Sequence, residues 1–256
     1  AALTVALVIN FYVNLAAGLY PALLSGGGTR EVEKTFKFAM MLGVPMLFGT
    51  IFLGRDILLL LRPAYAESAP VLYVLALSYW IGGLTGLFAV ILWGKEDVDR
   101  RTDITFADYV RSRLFRYILA GLLLGLLYSM VFSAVALVAR AWGWGPVVTA
   151  NAWAYAHLGL SVAGLVVTYL FSRQSLAFRL PWLSVIRYVV ASLSMLALMF
   201  PLYLFIPTSN IAAMQFIRVA TLLVVGVVVY FISIIFVDRE GREMVKLLFN
   251  RLRLVS

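Results

Sequence analysis

The sequence contains no cysteine and a single histidine, His157, and only 13% of its 256 residues are charged. Without cysteine there is no disulfide framework, thiolate metal site or cysteine nucleophile, and one histidine argues against a zinc site built from protein ligands alone. Soluble domains average about 25% charged and about 45–50% apolar residues. Because this chain is 63% apolar, with a mean hydropathy of +0.98, it is not an ordinary soluble enzyme.

Long apolar runs divide the chain, and each is long enough for the roughly 20 residues that a transmembrane helix needs. The runs are continuous rather than alternating, which excludes the strands of a membrane β-barrel. We therefore predict an all-α, polytopic membrane helical bundle of about seven transmembrane helices that occupies residues 1–236. The predicted helices cover residues 1–24, 36–61, 70–93, 114–139, 147–172, 181–206 and 211–236.

Basic residues are distributed unevenly between the connections. Sixteen Lys and Arg residues lie in alternate loops and the tail, and only three lie in the other loops. Because cytoplasmic loops retain Lys and Arg, the start of the chain is predicted outside and the C-terminus in the cytoplasm of a multi-pass cell-membrane protein. Residues 237–256 are predicted to form a basic amphipathic tail against membrane lipid. Nucleic acid is not an expected partner, because the basic residues form no soluble face.

Acidic residues, from Glu31 to Glu243, are expected only in loops and at helix ends. This distribution argues against an acidic proton relay and against a catalytic carboxylate pair. Asp56 and Glu67 are too isolated to suggest an enzyme, so we expect no catalysis, no cofactor and no metal. The sequence also offers no nucleotide-binding loop, so transport would be driven by ions, the membrane potential or product removal.

Arg218 follows Ile211 by seven residues, which places it about 10 Å into the apolar layer of the last predicted helix. A guanidinium there costs at least ~2.5 kcal/mol unless it is solvated or paired, and we expect no acid in the spans to pair with it. Gln215 and Thr221 lie on the same helix face. Two interpretations stay open: Arg218 contacts an anionic substrate group such as a phosphate, or it snorkels or binds helix-end carbonyls.

Other polar side chains interrupt the apolar runs. Asn10 and Asn14 form an i, i+4 pair, and buried amides must find hydrogen bonds either at another helix or in a cavity. With Arg218 and Gln215, they are our candidate substrate-binding residues, chosen by depth and polarity. His157 is interpreted either as a satisfied packing histidine or as a titrating switch.

Proline and glycine mark local features within the runs. Pro45 lies inside the second predicted helix, where it removes one backbone hydrogen bond and is expected to kink the helix. Gly121 and Gly125 repeat at a four-residue spacing, which allows neighbouring backbones to approach closely. We expect these features to reflect either static packing or a kinked second helix that bends during transport.

Three short stretches carry a family pattern within residues 15–95. They are Tyr20-Pro-Ala-Leu-Leu24, Val44-Pro45 and Tyr65-Ala-Glu-Ser-Ala-Pro-Val-Leu72. This pattern resembles the C-terminal half of polysaccharide-type lipid flippases of the multidrug/oligosaccharidyl-lipid/polysaccharide exporter superfamily. The resemblance implies one lobe of a two-lobe, fourteen-helix transporter that moves lipid-linked oligosaccharide or polysaccharide precursors by alternating access. Its partners would be that lipid-linked glycan and a missing N-terminal lobe, as the start at Ala1 within an apolar run also suggests.

Two alternatives to the flippase remain open. A drug or cation antiporter of the same superfamily would need an acidic residue in its cavity, which this half is expected to lack. A membrane scaffold or glycan-processing subunit is the other alternative, and a membrane enzyme should place acids or a histidine cluster at a span end.

Overall fold

The computed structural model describes residues 19–95, 105–208, 211–238 and 242, and every regular element in them is helical. Six of the helices are long and apolar enough to cross a membrane, which confirms the predicted all-α polytopic bundle. The first predicted span lies mostly outside the described residues, so the count of seven stays a prediction. The elements are α1 (Leu19–Leu24), α2 (Thr29–Leu61), a 3-10 helix (Pro63–Ser68), α3 (Ala69–Lys95), α4 (Phe106–Arg111), α5 (Arg113–Ala141), α6 (Pro146–Ser175), α7 (Trp182–Phe205) and α8 (Ala212–Val237).

The prediction for the start of α2 was wrong by about two turns, because the helix begins at Thr29 rather than at residue 36. The Gly28 N–H donates to Glu31 Oε2 at 2.7 Å, so a side chain three residues on satisfies a free donor at the helix start. Polar residues therefore continue the helix beyond its apolar run. With 33 residues, α2 is about 50 Å long, which exceeds the hydrocarbon layer of about 30 Å.

The remaining helix bounds agree with the predicted spans to within three residues, and start signals lie beside the apolar runs of α5 and α6. Gly145 precedes α6 and Pro146 opens it, a favoured residue at the first helical position. The Ser112 side chain accepts from the Phe115 N–H at 3.0 Å and caps α5. Local chemistry thus sets where these helices begin.

The chain divides into two compact units. Unit 1 comprises Ala1–Phe36 and Pro70–Leu180, and unit 2 comprises Lys37–Ala69 and Pro181–Ser256. Helix α2 therefore begins in unit 1 and continues in unit 2, whereas α3, α5 and α6 belong to unit 1 and α7 and α8 to unit 2.

Unit 1 contains a core of aromatic rings and one close helix approach. The Phe88 ring lies 6.2 Å from that of Phe36 and 5.7 Å from that of Phe178. At Gly94 of α3, a Cβ atom would lie only 2.7 Å from Leu23 Cβ, so a glycine is needed where α1 meets α3. Most side chains of α5, including Leu122, Leu123 and Met130, are exposed, as expected of a helix that faces lipid.

Unit 2 packs α7 against α8 around a second close approach. A Cβ atom at Gly226 of α8 would lie 2.6 Å from Met199 Sδ of α7. The Ser194 hydroxyl donates to Ser233 Oγ across the same pair of helices at 3.0 Å. Small and hydroxyl-bearing residues therefore bring these two helices together, which is the usual chemistry of helix association in a membrane.

Helix α2 continues through Pro45, and a side chain from α8 satisfies the backbone there. Pro45 has no N–H, so the Met41 carbonyl four residues earlier lacks its usual helical donor. The Tyr230 hydroxyl donates to this Met41 carbonyl oxygen. The helical hydrogen bond that Pro45 removes is thus replaced by one from a residue that lies 189 positions from Met41 in the sequence.

Candidate functional site

Two of the predicted substrate-binding residues, Arg218 and Gln215, lie together in unit 2, where 3% and 2% of their surfaces are exposed. The expectation that no acid in the spans could pair with Arg218 was wrong. Asp56 lies within α2, is 1% exposed, and places its Oδ1 3.5 Å from Arg218 Nε. The Gln215 side chain donates to the same Oδ1 at 2.9 Å. The three side chains form a neutral buried cluster, which we call the acid–arginine cluster.

A helix end completes the surroundings of Arg218. Its Nη2 donates to the Tyr203 carbonyl oxygen at 3.4 Å, and its Cζ lies 4.3 Å from the centre of the Tyr203 ring. Tyr203 is in the last turn of α7, where carbonyls lack donors within the helix. The contact with a helix-end carbonyl agrees with the second interpretation of Arg218, and its role in substrate binding stays a prediction.

The acid–arginine cluster joins three helix ends. Asp56, Tyr203 and Arg218 lie near the end of α2, the end of α7 and the start of α8. The distribution of basic loop residues predicts all three ends on the outer side of the membrane. At the other ends of α7 and α8, Arg187 Nη1 lies 3.1 Å from Asp238 Oδ1. The alternation of helix direction in unit 2 thus agrees with the predicted topology, whose orientation in the membrane stays a prediction.

Asn10 and Asn14, the other two predicted substrate-binding residues, lie outside the described residues. The predicted amphipathic tail, residues 237–256, does so too apart from Val237, Asp238 and Arg242. Their proposed roles stay predictions.

Unit 1 contains an open groove of about 320 Å³ between α3, α5 and α6, which we call the α5–α6 groove. This volume lies at the lower end of the range for small-molecule sites, about 300–1,000 Å³. One end of the groove is near the middle of α5 and α6, and it extends toward the predicted cytoplasmic ends of both helices. It is lined by Thr85, Tyr117, Gly121, Leu124, Gly125, Tyr128, His157, Leu160, Ser161, Gly164, Val167 and Thr168.

Three glycines line this groove, and the close helix packing predicted at two of them, Gly121 and Gly125, is not seen among the described residues. A Cβ atom built at Gly121, Gly125 or Gly164 would meet no atom within 4 Å among its described neighbours. Within the described part of the chain, the repeat at positions 121 and 125 therefore borders open space rather than a second backbone. Sequence spacing identified the face, but only the structure shows whether a partner fills it.

The polar end of the groove is formed around His157. Its Nδ1 lies 2.7 Å from Ser78 Oγ of α3 and 3.2 Å from Ser161 Oγ, one turn along α6. The Ser161 hydroxyl also donates to the His157 carbonyl at 2.9 Å. Because both hydrogen bonds use Nδ1, Nε2 is the ring nitrogen that remains for a ligand.

Aromatic rings surround this imidazole. The rings of Tyr79, Tyr128 and Trp153 have their centres 5.7, 5.7 and 5.8 Å from that of His157. Trp153 Nε1 donates to the Tyr128 hydroxyl oxygen at 3.1 Å, which leaves the O–H of that tyrosine to donate elsewhere. The groove thus offers a ligand apolar walls, ring edges and a few directed polar atoms.

Sequence reasoning weighed His157 alone and missed its neighbours. Trp153, His157 and Ser161 are spaced by four residues, a pattern that places them on one helix face and was present in the sequence. No local signal connects them to Ser78, which is 79 residues from His157. Within the described ranges, no group of three His, Asp or Glu residues is arranged to hold a metal ion.

Comparisons with protein-family models, curated proteins and solved structures found no match for this chain.

Proposed function

We propose that this chain is the C-terminal lobe of a membrane transporter that moves lipid-linked oligosaccharide or polysaccharide precursors across the cytoplasmic membrane by alternating access. The observation that carries the proposal is the α5–α6 groove, which brings an imidazole and a phenol hydroxyl to the middle of two helices with apolar outer surfaces. The family pattern within residues 15–95 supports the same class of cargo.

A lipid-linked glycan has a hydrocarbon tail and a strongly polar head. Its head cannot cross hydrocarbon unless a protein replaces the hydrogen bonds that water provided. The groove lies between spanning helices, so the tail can remain in lipid while the head reaches polar atoms. In this proposal the acid–arginine cluster of unit 2 stabilises the lobe, since its charges are already matched.

A cation antiporter is the second candidate, because Asp56 supplies the spanning acid that the sequence interpretation had denied to this chain. An acid inside a transmembrane helix is by default a functional candidate. Its Oδ1, however, already contacts Arg218 and Gln215. A transported cation would have to compete with the Arg218 charge beside this carboxylate, so the flippase remains the better proposal.

The test uses the full-length protein reconstituted in vesicles, with movement of a labelled lipid-linked oligosaccharide as the measurement. Gly125→Leu places a side chain in the open groove, and we expect it to reduce transport strongly. Gly159→Leu is the matched control, because Gly159 is exposed on α6, also has open space at its Cβ position, and does not line the groove.

Two outcomes would contradict the proposal. Equal glycan transport by the Gly125→Leu and Gly159→Leu proteins would remove the groove from the transport path. If the vesicles instead move a permeant organic cation against a proton gradient, and Asp56→Asn abolishes this movement, the antiporter is correct.

A further inference from the structure

We infer that His157 is the protonation site of the α5–α6 groove and that its imidazolium form binds the phosphate of a lipid there. This inference rests on the proposed function, because it names the chemical group that the groove recognises and the condition under which it does so.

The position of His157 fits a site within the membrane. It follows Pro146 by eleven residues, so it lies about 17 Å from the start of α6, near the middle of a membrane-spanning helix. Ionisable side chains at such depth usually take part in substrate binding or proton movement. His157 is also the only side chain in the sequence whose ordinary pKa lies between about 5 and 8.

The hydrogen-bond partners of His157 suit both of its protonation states. A serine hydroxyl can donate or accept. When the ring is neutral at Nδ1, Ser78 donates to it across 2.7 Å; when Nδ1 carries a proton, the same oxygen accepts. A carboxylate partner would favour the charged ring, and a backbone N–H would favour the neutral ring. The Ser78 hydroxyl allows the change without movement of any heavy atom, whereas Ser161, whose O–H donates to the His157 carbonyl, can only accept from Nδ1.

Among the described residues, the groups that face His157 carry no competing charge. They are Ser78 and Tyr79 from α3, Tyr128 from α5, and Trp153 and Ser161 from α6 itself. Their polar groups are hydroxyls and an indole N–H. Around neutral pH, protonation of His157 is therefore the step that changes the charge of this end of the groove.

A phosphate needs such a charge. No Lys or Arg lines the groove in the described part of the chain, and Arg218 of unit 2 is already paired with Asp56. An imidazolium would present its Nε2–H, and Tyr128 would present its O–H, so two donors are available to phosphate oxygens. Charge-assisted hydrogen bonds of this kind are stronger than neutral ones. The proton comes from water as the phosphate binds and returns to water as it leaves.

The experiment measures binding of a fluorescent polyprenyl phosphate to the full-length protein, and transport of the lipid-linked oligosaccharide, between about pH 5 and pH 8, where an imidazole titrates. For the unmodified protein, binding should weaken as the pH rises, because the imidazolium is lost. His157→Gln should bind about ten- to hundredfold more weakly at the acidic end. It should also lose the imidazole's share of the pH dependence and keep only that of the phosphate's own second ionisation, at about pH 6. His157→Lys should keep tight binding across the whole range.

Ser78→Ala provides a second test that does not replace the histidine. It removes an acceptor of the charged Nδ1–H, so the midpoint of the binding curve should move to lower pH. A His157→Gln protein with the same pH profile as the unmodified protein would overturn the inference, even if transport itself is observed. Conversely, pH-dependent phosphate binding that requires His157, without any glycan transport, would overturn the proposed function and leave this inference standing.

Discussion

The two units of this chain treat their buried polar side chains in opposite ways. In unit 2, Asp56 and Arg218 are almost completely buried and neutralise each other. In unit 1, the described partners of His157 are uncharged, and the residue borders an open groove. A buried charge that is paired contributes fixed geometry and is costly to disturb, whereas an uncharged polar group beside a cavity can bind a ligand without losing a protein partner. This difference predicts structural defects from variants in unit 2 and functional defects from variants in unit 1.

The largest expected effect is that of Arg218→Ala. It leaves the Asp56 carboxylate buried without its charge partner, which typically costs about 3–5 kcal/mol of stability. The measurement is the thermal unfolding midpoint of the purified protein in detergent, with Arg140→Ala at the exposed end of α5 as the control.

The double variant Asp56→Asn with Arg218→Gln should recover much of the lost stability, because it removes both charges together. Glycan transport should recover with it. If Arg218→Ala instead leaves stability and membrane insertion intact and abolishes only transport, then Arg218 contacts the substrate, and the contrast between the units fails.

An intermediate effect is expected for Tyr230→Phe, which leaves the Met41 carbonyl buried without its donor. An unsatisfied buried acceptor costs about 1–3 kcal/mol. In a Pro45→Ala background, residue 45 regains an N–H that can bond to Met41, so the same tyrosine substitution should cost less. A double-mutant cycle in thermal unfolding measures this coupling. Equal effects of Tyr230→Phe in both backgrounds would show that the hydroxyl does not compensate for the proline.

The smallest effects concern two glycines that differ in their surroundings. Gly121→Ala in unit 1 enters open space, so it should stabilise the protein by about 0.5–1 kcal/mol through better helix propensity. Gly226→Ala in unit 2 would place its Cβ 2.6 Å from Met199 Sδ, so it should be destabilising through overpacking. A rise in the unfolding midpoint for Gly121→Ala together with a fall for Gly226→Ala supports the comparison. Changes of the midpoint in the same direction would refute it.

The sequence predicted the helices well and their polar contacts poorly. Five of the six described spans have bounds close to the predicted ones, from the span at 70–93, observed as Ala69–Lys95, to that at 211–236, observed as Ala212–Val237. The exception is the start of α2, where a glutamate cap extends the helix past its apolar run. Asp56 was judged isolated because its partners are distant, and Gln215 is 159 residues away.

The sequence by itself determined that the chain folds as apolar helices and where most of them begin and end. These properties depend on neighbouring residues, because a backbone in lipid must satisfy its hydrogen bonds within each helix. Only the tertiary structure shows that Asp56 neutralises Arg218 and that the Tyr230 hydroxyl donates to the Met41 carbonyl. It also shows that two glycines of α5 line a groove beside His157. Each of these contacts depends on which helix faces pack together, because helix packing brings together residues that are far apart in the chain.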